Sequence, residues 1–316
     1  MKVNEKESFG KFDFVGKAGI FGGISALFVV VSLVYLAIHG ITYGIDFSGG
    51  TEMQVKFGQN VTIEQVRSLT DKLKLPNVSI QGFAGTSEYV VRFQLEKSKD
   101  DKETNQKLNE SIAGLKAGVM TEFASAQPEI RRVDTVGPQV GAELKRNGLL
   151  AVFYCLLVIL IYVALRFDYK YSPGAVICLA HDAIITLGIF VFVGKEVNIP
   201  VLAAILTLIG YSLNDTIVVF DRIRETEHEY AKKGFRFIIN KAINDMFERT
   251  LITSGTTFVS GLCLYFFAGG MVSDIAFAIC VGIFFGTYSS IYVAAPLILL
   301  MEKFKLVQTA PAVTTR

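Results

Sequence analysis

Charge is scarce in this chain. Asp, Glu, Lys and Arg together make up 19% of its 316 residues, against about 25% in soluble domains. That balance excludes a globular enzyme with an ordinary solvated surface. Cysteine is scarce too. Cys155, Cys178, Cys263 and Cys280 each fall inside an apolar stretch, at no spacing that suits a disulfide framework or a metal. They read as small hydrophobes, so redox and zinc chemistry have no candidates. No nucleophile–base arrangement and no phosphate-cradling glycine loop is present either. Bond-making catalysis, a cofactor and a bound metal are therefore not expected.

Apolar residues are what the chain has in abundance: 51% of it, with mean hydropathy +0.45. They gather in six runs: Ala18–Ile38, Leu149–Leu165, Gly174–Val193, Ile199–Phe220, Leu251–Phe267 and Ile275–Leu300. About 20 such residues cross roughly 30 Å of hydrocarbon as a helix, so the sequence predicts a polytopic α-helical membrane protein with six transmembrane helices. The first run exceeds the apolar region of a signal peptide and no small-x-small cleavage site follows it, which predicts a retained helix. Basic residues set the orientation. Sixteen Lys and Arg lie in the N-terminal arm, the loops after spans 2 and 4, and the tail, whereas the opposite short loops hold only Lys195. Both termini are expected in the cytoplasm.

The expected divisions are an arm over 1–17, a first span over 18–40, an outer domain over 41–148, spans 2–6 over 149–300 with a cytoplasmic loop at 221–249, and a tail over 301–316. Within the outer segment 14 basic residues balance 14 acidic ones, so it is no nucleic-acid surface. Strands are predicted at Thr51–Phe57, Asn77–Phe83, Glu88–Leu95 and Glu129–Val136, and helices at Thr62–Leu75 and Glu103–Ala124. Thr62 and Gln65 are placed for a capping box, and Ala84, Gly85 and Thr86 for a turn. The order β-α-β-β-α-β fits one small ferredoxin-like α+β domain between helices 1 and 2. Between spans 4 and 5, Phe235, Ile238, Ile239, Ala242, Ile243, Met246 and Phe247 recur at helical spacing, which predicts a helix along the cytoplasmic interface or a linker packed under the bundle.

Ionisable residues inside spans cost about 2.5–3.5 kcal/mol on insertion scales and are functional candidates by default. Asp182 lies mid-span beside His181, and Asp215 lies about 8 Å from the cytoplasmic end of its span at 1.5 Å per residue. Thr207, Tyr211 and Asp215 share one face, flanked by Ser212 and Asn214. Arg249, Thr253, Thr256 and Ser260 form a polar stripe on the next span. Two such stripes on consecutive antiparallel helices suit either a hydrated proton path through Asp215, Arg249 and Asp182 or a buried polar seam held by a static Asp215–Arg249 pair. Gly19/Gly23 and Gly282/Gly286 read as close helix packing. Gly49 and Gly50 read as a turn where the chain leaves the membrane.

Gly44-Ile45-Asp46-Phe47-Ser48-Gly49-Gly50-Thr51 after span 1 and Val136-Gly137-Pro138-Gln139-Val140-Gly141 before span 2 resemble signatures of the SecD/SecF family. So do Ala164-Leu165-Arg166-Phe167, Ala180-His181-Asp182, the run Ile209–Arg224, and Arg249-Thr250-Leu251. This ordered set covers residues 10 to 300. The resemblance implies half of an RND-type bundle, arranged one plus five, with Asp46, Phe47, Gly49, Gly50, Gly137 and Pro138 as family-motif residues and a periplasmic outer domain. It implies an accessory subunit of the bacterial Sec translocon in the cytoplasmic (inner) membrane, driven by a proton gradient without a cofactor. Its implied partners are SecD, SecYEG, YajC, YidC, translocating preproteins and the bilayer. In the family the proton-path acid matches Asp215 and the intramembrane arginine Arg249, and Asp182 matches a further polar position. A non-conducting scaffold joining SecD to the translocon and an RND-type small-molecule exporter are the competing readings.

Overall fold

The structure is a computed structural model and describes residues 9–83, 86–94, 101–166 and 172–303. Ala84 and Gly85 of the predicted turn, Leu95, Phe167 and Lys170, and Lys2, Lys6, Lys305 and Arg316 among the orienting charges lie outside the described residues. In chain order the elements are α1 (Phe14–His39), α2 (Ile45–Ser48), β1 (Gly50–Lys56), α3 (Ile63–Lys72), β2 (Ser79–Gly82), β3 (Glu88–Phe93), α4 (Asp101–Glu122) and β4 (Glu129–Val136). Then follow α5 (Pro138–Arg166), α6 (Ser172–Phe192), α7 (Ile199–Glu229), α8 (Phe235–Phe267), α9 (Gly270–Ser289), a π-helical turn (Ser290–Ala294) and α10 (Ala295–Lys303). They form two compact units. One holds Tyr43–Leu150 with Glu196–Ile199, and the other the remaining helical chain.

The smaller unit is the expected α+β domain. Its sheet runs β2-β3-β1-β4, every pair antiparallel. Met53, Val55 and Phe57 alternate onto one face, where Val91 and Phe93 join them. Val66 and Leu69 of α3 and Leu115 and Val119 of α4 cover that face, so both helices pack on the same side. The capping box closes as predicted: Gln65 N donates to Thr62 Oγ1, and Thr62 N donates to Gln65 Oε1 at 2.8 Å. Two orphan amides at the start of α3 are thereby satisfied.

In the larger unit, six helical stretches have the length and apolarity of membrane spans: α1, α5, α6, α7, α8 and Gly270–Met301. The most apolar window of α6 is 56% buried and that of α7 44%, against 6% for α5 and 11% for α1. The first two are thus the interior of this half-bundle. Close packing explains one glycine pair and not the other. Gly282 lies hard against Leu208 and a Cβ on Gly286 would sit 3.2 Å from Ser212 Cβ, whereas Gly19 and Gly23 face no described atom within 4 Å.

Two features depart from the expected outline. The segment 221–249 is helical at both ends, because α7 runs on to Glu229 and α8 begins at Phe235. The predicted interfacial helix is the first part of α8, whose 33 residues reach about 50 Å at 1.5 Å per residue. Its apolar residues Ile238, Ile239, Ala242 and Ile243 are buried, so it packs instead of lying free. The last span is broken by the π-turn at Ser290–Ala294. Pro296 accounts for it: its ring has no N–H to give Tyr292 and crowds that carbonyl, so the preceding turn widens.

Candidate functional site

Two buried carboxylates sit on neighbouring helices, and each is held by hydroxyls. On α7, residues three apart point about 60° apart around the axis. Ser212 and Thr216 therefore face α6, while Tyr211 and Asp215 face α8. Asp215 is 4% exposed, and its Oδ2 accepts from Ser254 Oγ at 2.9 Å. One helical turn away, Tyr211 OH pairs with Thr257 Oγ1 at 3.2 Å. Arg249 lies within electrostatic range of Asp215, yet among the described residues no ion pair joins them. A carboxylate with one hydroxyl donor and a cation near but not touching is free to exchange a proton without first breaking a salt bridge.

The polar residues of α8 divide differently from the predicted stripe. Thr253, Thr256 and Ser260 are exposed together with Arg249, and their hydroxyls turn back onto the helix. Thr253 Oγ1 donates to Arg249 O at 3.0 Å, Thr256 Oγ1 to Thr253 O at 2.9 Å and Ser260 Oγ to Thr256 O at 2.9 Å. The residues that meet α7 are Ser254 and Thr257, on the adjoining face. Thr207 and Asn214 of α7 are exposed as well, and Thr207 Oγ1 bonds to Ala203 O. The bundle thus presents a polar strip, headed by a guanidinium, on an outer surface of helices that have the composition of spans.

Asp182 is fully buried and collects donors from three helices. Oδ1 accepts from His181 Nδ1 at 2.8 Å, and Oδ2 accepts from Ser212 Oγ of α7 at 2.5 Å and from Ser289 Oγ of α9 at 2.9 Å. His181 Nε2 pairs in turn with Ser25 Oγ of α1. Cys178 Sγ, one turn below on α6, donates to Ser289 Oγ at 3.1 Å, so this cysteine is a polar partner as well as a small hydrophobe. Ser25, Ser254 and Ser289 escape a reading of the sequence. Their partners lie 156, 39 and 107 residues away, and only the fold brings them together. The one local sign is Cys178, Asp182 and Thr186 at four-residue spacing on α6, all fully buried.

The family-motif residues build the root of the α+β unit. Asp46 Oδ2 accepts from Ile199 N at 2.9 Å, an acid at the first turn of α7 where the helix end favours negative charge. Gly44 N donates to Val197 O at 2.8 Å. Phe47 is buried, Gly49 has φ +75°, and Gly50 has φ +131°. A Cβ on Gly49 would lie 2.9 Å from Pro138 Cα, one on Gly50 2.9 Å from Phe93 O, and one on Gly141 2.9 Å from Gly49 N. The two signatures are therefore one backbone-to-backbone contact, and Gly137 is the member with open space beside it. Nearby, Arg92 bridges Glu52 and Glu196. Burial draws its guanidinium down, but the two carboxylates more than offset this, and its pKa rises above the ordinary value.

At the other end of the chain, Asp13 caps α1, accepting from Gly16 N at 2.8 Å and Asn240 Nδ2 at 2.7 Å. These bonds, the one from Asn240 first, hold its pKa below the ordinary 3.8. No cluster of His, Cys, Asp and Glu suited to a metal exists among the described residues.

Comparison with known proteins places these residues in a family. Residues 116–304 match the description "Protein export membrane protein SecD/SecF, C-terminal" and residues 34–61 match "SecD/SecF GG Motif". The chain is 41% identical over 299 residues to the protein translocase subunit SecF of Calditerrivibrio nitroreducens, covering 93% of this chain and 95% of that one. It is 40% identical over 275 residues to the subunit of the same name from Vibrio alginolyticus, covering 87% and 85%. The crystal structure of SecDF, a translocon-associated membrane protein from Thermus thermophilus, superposes with a TM-score of 0.79 at 33% identity. That match covers 93% of this chain and 39% of the SecDF chain. SecDF in a super-membrane-facing form gives a TM-score of 0.68, covering 97% and 40%. The chain thus spans about two fifths of the length of SecDF.

Proposed function

The chain belongs to the SecD/SecF family of protein-export membrane proteins, and on that footing we propose that it works beside SecD as an accessory subunit of the Sec translocase, using the proton-motive force to complete preprotein export. Asp215 is the residue that loads and releases the proton, Arg249 is the neighbouring charge that tunes it, and Asp182 is a second acid on the same helix pair. The observation that carries this reading is Asp215 itself: a buried carboxylate on a membrane helix, held by a single serine hydroxyl. Each charge moved across 100 mV is worth about 2.3 kcal/mol, enough to tip a closely balanced conformational equilibrium.

The exposed strip of Arg249, Thr253, Thr256, Ser260, Asn214 and Thr207 supports the partner. A guanidinium, an amide and hydroxyls on the outer surface of helices with the composition of spans suit contact with polar groups of another set of helices, and SecD supplies it. SecYEG, YajC and YidC complete the assembly and no cofactor takes part. The basic loops support cytoplasmic termini and with them a periplasmic α+β domain, and the family resemblance supports the inner membrane. The test is preprotein transport into vesicles holding this chain, SecD and the translocon, with and without an imposed proton gradient. Asp215→Asn is expected to abolish the stimulation by the gradient while assembly persists.

A scaffold reading makes Asp215–Arg249 a strut. The missing ion pair between them tells against it, and exchanging the two residues separates the cases. The double variant Asp215→Arg with Arg249→Asp restores a strut but leaves a proton carrier dead.

A further inference from the structure

We infer that Ser25, His181, Asp182 and Ser212 form the joint through which α7, the helix bearing Asp215, moves α1. The inference rests on the proposed proton-driven role and adds the route by which that motion leaves the proton site. All four residues are less than a tenth exposed, and they are linked in series from α7 through α6 to α1: Ser212 to Asp182, Asp182 to His181, His181 to Ser25. Both nitrogens of His181 are engaged, so the ring is a fixed bridge. Ser212 stands one turn from Asp215 on the same rigid helix, and a rotation or slide of α7 that follows a proton at Asp215 necessarily displaces Ser212.

α1 is tied to α8 and α9 where Val15 N donates to Asn240 Oδ1 and Tyr288 OH donates to Phe21 O, and to α6 by the Ser25–His181 bond. A cavity of about 660 Å³, walled by α1, α6, the π-turn and α10, lies alongside it, and Ser25 and His181 are on its wall. Gly19, Gly22 and Gly23 of α1 face no described atom within 4 Å. Where α1 and α6 do touch closely, they keep one register. Ser25 meets His181 and Ser32 meets Gly188, both at an offset of 156 residues. The Ser25–His181 bond, near the middle of α1, is the polar tie that runs through α6 to α7, so a displacement of Ser212 reaches α1 there. The tie is also unforgiving at its α7 end, because withdrawing Ser212 leaves a buried carboxylate short of a donor, at a larger cost than a neutral bond. The three helices therefore shift together. Chain connectivity does the rest: α1 continues through Gly40 to Thr42 into the α+β domain.

The experiment uses this chain with SecD and the translocon in vesicles, reading internal pH with a trapped dye and completion of preprotein transport in the same sample. Ser25→Ala, Ser212→Ala and the double variant are compared with wild type. For Ser25→Ala the expected result is proton uptake within about twofold of wild type and transport reduced about fivefold or more, the lower end of ordinary coupling energies; Ser212→Ala, which also bares the Asp182 carboxylate, is expected to lose transport at least as strongly. The double variant should be no worse than Ser212→Ala alone, because both substitutions cut the same series. Ser25→Thr, which keeps the hydroxyl, should restore transport, a rescue that a simple packing role would not give. If Ser25→Ala does not assemble, Ser25→Cys, which keeps the size with a weaker donor, takes its place with the same expectation. Unchanged transport, a parallel fall of uptake and transport, or additive losses would each overturn the joint. Absence of proton uptake in wild-type vesicles would instead defeat the proton-driven role itself, and the wild-type trace tells the two failures apart.

Discussion

At the scale of single residues, two positions are fixed by backbone geometry and by charge. Gly49 combines φ +75° with a Cβ position 2.9 Å from Pro138 Cα, so an L side chain there is both strained and blocked. Gly49→Ala is expected to cost about 1–3 kcal/mol, seen as a lower midpoint of thermal unfolding of the α+β unit. Gly137→Ala, with open space at its Cβ, should leave the midpoint almost unchanged. Equal effects of the two would refute the backbone argument. Asp13 provides a pH test with a definite sign. Its pKa is lowered in the folded chain, so the cap it provides is fully present above the ordinary 3.8 and is lost as pH falls below that value through the lowered pKa. Protection of the Gly16 amide against hydrogen exchange should fall over that interval in wild type and lose this pH dependence in Asp13→Asn.

At the scale of elements, the reading of the sequence succeeded where one strong pattern decides the outcome. Six apolar runs became six helical stretches, the strand predicted at Thr51–Phe57 is β1, and the Thr62–Gln65 box starts α3. It failed where polarity does not discriminate. Residues 253, 254, 256, 257 and 260 of α8 are all Thr or Ser, so spacing alone offers several faces, and packing against α7 selects Ser254 and Thr257. The continuity of α8 escaped for a related reason, since its basic first part and apolar second part resemble two elements. The network on Asp182 was out of reach because its donors are remote in sequence. The phase of α8 is testable. Single cysteines at 253 and 260 should cross-link to SecD in the assembled complex and one at 254 should not; a cross-link from 254 in place of the other two would reverse the assignment.

At the scale of the whole molecule, a half-bundle carries an acid on an interior helix and an uncovered polar strip beside it, and a small domain grows from its first helix. Such a chain has no complete core of its own, which is why α5 and α1 bury so little and why function is expected only with a second half. In the proposed function that half is SecD. Proton coupling then depends on whether Asp215 exchanges protons in the assembled complex. Proton flux into vesicles that hold this chain with SecD, wild type against Asp215→Asn at equal assembly, tests that claim most directly. Flux in the wild type and its loss in the variant are expected; equal flux in both would contradict proton exchange at Asp215.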